Sequence, residues 1–171
     1  MMSRLGVWFM GVLARLPLPV LRAMRAALGR VLFVLVVPRR KLALRHLELC
    51  FPQASVEQRT QWARESFIVF CQTWLDRSWL WSAPQSVVEQ RVKLQGAVHE
   101  LDGDVPTIIF APHFYGLDAG GLVLPLRTSR AFTSIFSTHP DPVLAAWFIA
   151  GRPRVGDVRR LKSAAVHETI V

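Results

Sequence analysis

The chain has 171 residues, about one domain's worth and enough to bury a sizeable core. It is 51% hydrophobic with a positive mean hydropathy, and its formal charge of +9 favours an acidic partner: nucleic acid, anionic lipid or an acidic protein. Its two cysteines, Cys50 and Cys71, form no CxxC pair and no metal-ligand cluster. Both sit among apolar residues and read as buried, inert thiols.

Residues 5–14 (LGVWFMGVLA) are an unbroken apolar run that Arg15 ends. A membrane-spanning helix needs roughly 20 apolar residues. Later runs are cut by Arg22, Arg25 and Arg30 until residues 31–37, so no clean transmembrane segment is expected. No small-x-small cleavage site follows the run, which argues against a secretory signal peptide. On an ideal helix, Arg4, Arg15, Arg22 and Arg25 fall within an arc of roughly 80°, although Pro17 and Pro19 disturb that helix. Basic residues on one side, with Trp8, Phe9, Leu13 and Leu21 elsewhere, predict an interfacial helix on an anionic membrane surface. The competing reading is a core helix with a solvated arginine face. Residues 1–40 therefore read as a basic, membrane-associating segment, with a boundary at Pro38-Arg39-Arg40-Lys41.

A short helix is expected over 41–50, stopped by Phe51-Pro52. Ser55 and Gln58 form a capping box that opens a long helix over about 56–81. Its Trp62, Phe67, Phe70, Trp74 and Trp81 read as core, and Pro84 closes it. Residues 91–96 (RVKLQG) predict a short strand ending at a glycine. A polar turn region follows at 99–104, then an apolar strand over 105–111. Residues 119–126 predict a helix, 131–137 a strand and 141–151 a helix with Asp141 as cap and Gly151 as stop. Residues 152–162 are basic and read as irregular. Ser163 looks like an N-cap whose helix reaches Val171 without a C-cap.

Helix and strand alternate after residue 90. The expected fold class is α/β: a helical N-terminal region followed by the first part of a mostly parallel sheet with flanking helices, incomplete at its end. Residues 41–171 would then form the N-terminal portion of one catalytic domain.

The stretch IIFAPHFYGLDAGG, residues 108–121, carries the candidate chemistry. Pro112 ends the apolar run, and His113 and Asp118 follow it, at the edge where α/β sheets usually place their sites. Glycines after them would let backbone or substrate approach closely. The spacing alone is weak, because His99 and Asp104 repeat it in a polar turn with no apolar strand before them. The arrangement suits acyl transfer to a hydroxyl. A neutral imidazole takes the hydroxyl proton, and a carboxylate fixes its tautomer and stabilises the imidazolium. The bland alternative is a surface histidine and a helix-capping aspartate.

Three pieces, RHLELCFP (45–52), VKLQG (92–96) and APHFYGLDAGG (111–121), resemble the lipid A biosynthesis acyltransferases of the lauroyl/myristoyl type. These lie within the lysophospholipid and glycerophosphate acyltransferase group. The first piece departs from the family signature, with His46 where asparagine is usual. The resemblance implies an enzyme at the cytoplasmic face of a bacterial inner membrane. Such an enzyme moves an acyl group from acyl carrier protein to a hydroxyl of a lipid A precursor. It implies His113 as general base, Asp118 as its partner, and Arg152 and Arg154 (GRPRVGD) as contacts for lipid or carrier phosphates. No metal and no tightly bound cofactor is implied. Family members continue well beyond residue 171, so the expectation is an N-terminal portion. Its alternative is a truncated, inactive remnant that keeps membrane association. A nucleic-acid binder is disfavoured, because the basic residues are not clustered beside stacking aromatics.

Overall fold

The computed structural model describes residues 2–113, 115–128, 130–136, 139–151 and 158–162. They form α1 (Met2–Leu13), α2 (Leu18–Leu35), α3 (Val37–Cys50), α4 (Val56–Leu80) and α5 (Gln85–Arg91), then α6 (Leu117–Val123), β1 (Phe132–Phe136), α7 (Pro142–Gly151) and β2 (Val158–Lys162). Short 3-10 turns lie at Val98–Leu101 and Leu124–Leu126. The chain divides into two compact units: residues 15–76, and residues 1–14 together with 77–171.

The unit of residues 15–76 is helical. Pro19 stands in the first turn of α2 and Pro38 in that of α3, where the missing N–H costs no helical hydrogen bond. The basic tract at 38–41, expected as a boundary, therefore lies inside a helix start. The capping box of α4 forms in both directions: the Gln58 amide donates to Ser55 Oγ at 3.2 Å, and the Ser55 amide to Gln58 Oε1 at 2.9 Å. Leu21, Phe33, Ala63, Cys71 and Leu75 are buried. Phe33 meets Phe67 edge-on at 5.5 Å between ring centroids, and the guanidinium groups of Arg40 and Arg64 lie 5.5 and 5.4 Å from the Phe33 ring.

Gly29 allows the closest approach in this unit. A Cβ there would fall 2.5 Å from the Ile68 Cα, which is backbone and cannot swing away. Gly29→Ala is expected to cost roughly 1–3 kcal/mol by overpacking, read as a lower urea midpoint with an unchanged slope. Burial raises the Cys71 thiol pKa, as an inert core cysteine requires. Cys50, expected to be buried, is exposed on the outer side of α3, a helix with no buried residue.

In the other unit, Leu13, Trp79, Leu80, Trp81, Val88, Leu122 and Val123 are buried. Trp81 packs against Trp147 and Phe148 at centroid distances of 4.5 and 5.2 Å. Gly151 is the last residue of α7, and a Cβ there would meet the Trp81 ring at 2.5 Å. Asp141 caps α7 through the Val143 and Leu144 amides (2.8 and 3.0 Å), and its other oxygen accepts the Ser3 hydroxyl of α1 at 2.5 Å. The Ser3 bond first, then the Leu144 and Val143 amides, hold the Asp141 carboxyl below the usual carboxylate range. Opposite this tether, Met2, Leu5, Trp8, Phe9 and Val12 of α1 are exposed. No described helix is long and apolar enough to cross a membrane. Residues 4–25, expected as one helix, are not continuous: α1 ends at Leu13, α2 begins at Leu18, and Arg15 lies in the break.

Of the expected parallel sheet, the described residues contain one pair. β1 and β2 run parallel from Phe132↔Val158 to Phe136↔Lys162, joined through α7. β2 falls within 152–162, which had read as irregular. Residues 92–95 and 105–111 form no strand. A strand needs a neighbour to accept its N–H groups and cover its side chains, and no described segment pairs with either stretch. Ile108 and Phe110 are consequently 97% and 89% exposed. Residues 85–91, a helix the sequence did not announce, precede the first of these stretches.

Candidate functional site

The loop after the apolar run turns at Gly116, whose φ of 90° lies in the left-handed region that glycine adopts without strain. Gly116 caps α6, and its carbonyl accepts the Gly120 amide at 3.0 Å. Gly120 and Gly121 have open space where a Cβ would stand, so the close approach expected of them is not part of this packing. Earlier in the loop, the Arg130 guanidinium donates to the Leu101 carbonyl (3.4 Å), the Val105 carbonyl and the Thr107 hydroxyl (3.3 Å). That clamp fixes where the run toward His113 begins.

His113 and Asp118 have different environments. The His113 side chain is exposed on the loop. Asp118, in the first turn of α6, has a side chain only 10% exposed. Its Oδ2 accepts a hydrogen bond from Arg77 Nε at 2.6 Å, and the Arg77 side chain is itself 15% exposed. The guanidinium carbon lies 5.7 Å from the Trp81 ring centroid and 5.8 Å from that of Phe148. Among the described residues no hydrogen bond joins His113 to Asp118. Both stand on one turn, with the acid held from within and the imidazole open to an incoming molecule. His99 and Asp104, which share the spacing, are both exposed. Arg152 and Arg154 lie outside the described residues. No three His, Cys, Asp or Glu side chains gather as a metal site among the described residues.

Arg77 is the site residue that sequence reasoning passed over. It stands in WLDRSWLW (74–81), read only as an aromatic helix face. A guanidinium within so apolar a stretch is costly unless a carboxylate meets it, and that was the available signal.

The chain matches the family model described as "Bacterial lipid A biosynthesis acyltransferase" over residues 1–163. It is 29% identical over 126 residues to a lipid A biosynthesis palmitoleoyltransferase of Escherichia coli (strain K12), covering 70% of this chain and 41% of that protein. It is 24% identical over 155 residues to a lipid A biosynthesis acyltransferase of Haemophilus influenzae, covering 89% of this chain and 48% of the relative. A lipid A biosynthesis lauroyltransferase of E. coli K12 is 24% identical over 119 residues, covering 68% and 39%. No solved structure matches. The chain belongs to the bacterial lipid A biosynthesis acyltransferase family. It spans less than half the length of these curated relatives.

Proposed function

We propose that the chain carries the acid–base half of an acyltransferase site, which moves a fatty acyl group from acyl carrier protein to a hydroxyl of a lipid A precursor. The observation that carries this reading is an exposed His113 and a part-buried, arginine-held Asp118 standing either side of the Gly116 turn. The acceptor hydroxyl gives its proton to one imidazole nitrogen as its oxygen attacks the thioester carbonyl. The tetrahedral intermediate then collapses, and the carrier thiolate leaves with that proton. Asp118 accepts from the other imidazole nitrogen and stabilises the imidazolium. Arg152 and Arg154 are assigned to phosphate contacts with lipid or carrier. The test is transfer from labelled acyl carrier protein to a lipid A precursor in detergent, with His113→Ala alongside.

The reading includes a membrane surface, at the cytoplasmic face of a bacterial inner membrane. The uncovered Leu5, Trp8 and Phe9 of α1 support it, as does the net positive charge. Leu5→Glu combined with Trp8→Glu is expected to weaken binding to vesicles containing anionic phospholipid by roughly tenfold or more, measured by co-sedimentation.

A second reading, an inactive chain that binds lipid without turnover, is favoured by the exposure of Ile108 and Phe110 just before His113. Lipid binding with neither turnover nor a cooperative unfolding transition would establish it.

A further inference from the structure

We propose that Arg77 is a positioning residue for Asp118: its guanidinium fixes the carboxylate that orients and charges His113. This inference rests on the reading of His113 and Asp118 given above.

The geometry assigns Arg77 more than surface charge. Its Nε donates to Asp118 Oδ2 at 2.6 Å with both side chains at least 85% covered, so water competes weakly for either partner. Trp81, just past the end of α4, and Phe148 of α7 each present a ring within 6 Å of the guanidinium carbon. Arg77 itself belongs to the last turn of α4 and Asp118 to the first turn of α6. Trp81 and Phe148, themselves 5.2 Å apart between centroids, cover one side of the planar cation, which limits how it can turn, and its rigidity passes to the carboxylate it holds. A lysine supplies the charge without the plane. An ionised carboxylate has about four acceptor positions, so the bond to Arg77 is compatible with one from His113.

The test compares wild type, Arg77→Lys and Arg77→Met in the full 171-residue chain in detergent. Arg77→Met is expected to lower kcat by about 10–100-fold with KM changed less than about twofold, and Arg77→Lys to fall between it and wild type. Independently of turnover, the His113 imidazole is titrated by NMR. Arg77→Met is expected to move its midpoint in the wild-type background and to leave it unmoved when Asp118 is already Asn. If Arg77→Met does not fold, Arg77→Lys is carried through the same two backgrounds. Folded Arg77 variants with wild-type kcat, or a titration that is unmoved or moves equally in both backgrounds, would overturn the proposal. If the wild-type chain shows no turnover, the activity reading fails by itself. The imidazole titration then decides whether Arg77 acts through Asp118.

Discussion

His113→Ala is expected to lower acyl transfer by about 10²–10⁴-fold, to the level of the detergent blank, while leaving the unfolding transition unchanged. Both halves of that expectation come from the loop. The side chain is exposed, so its removal opens no cavity and leaves no buried group unpaired. Its chemical contribution is large because a lipid hydroxyl is a poor nucleophile near neutral pH and must lose its proton as it attacks. His99→Ala is the matched control, since that histidine has the same spacing to an acid but stands on an exposed turn with no buried partner. Loss in both variants would point to a general effect on the chain. Loss in His113→Ala alone assigns the proton transfer to that residue. Equal activity in wild type and His113→Ala would sink the dyad.

The parts of the structure that were readable in the sequence are those whose cause is local. The Ser55–Gln58 box and the Asp141 cap are each decided by a few neighbouring residues, and each forms as expected. The helix behind the candidate site was legible for the same reason. The run at 105–111 has the right composition for a strand, but a strand depends on partners far along the chain, and none of the described segments supplies one. β2 shows the converse: a basic stretch, Val158–Lys162, becomes a strand because β1 lies beside it. The candidate site divides the same way. The spacing of His113 and Asp118 is written in six consecutive letters around a glycine turn. Arg77 lies 41 residues before its partner, and only the fold shows the contact. The exposed apolar face of α1 sat in plain view as an uninterrupted run, yet the run could not say which side Ser3 and Leu13 would anchor.

Asp118→Ala is expected to destabilise the unit of residues 1–14 and 77–171 by roughly 3–5 kcal/mol, because it removes a carboxylate held against the largely covered Arg77 charge. Trp81 reports the change directly, since its ring lies against the Arg77 guanidinium and is itself buried. Urea unfolding followed by tryptophan fluorescence is the measurement, with the midpoint expected to fall at constant slope. A pair exposed to water would contribute at most about 1 kcal/mol, so the size of the loss separates a covered pair from a screened one. Removing both charges is the sharper comparison. Arg77→Met with Asp118→Leu replaces the pair by apolar groups beside Trp81 and Phe148, and is expected to recover most of the lost stability. Acyl transfer should not recover with it, because a leucine cannot accept a hydrogen bond from an imidazole. A double variant as stable as wild type but inactive would show that the pair is kept for chemistry. One that regained transfer would leave His113 acting without a partner acid.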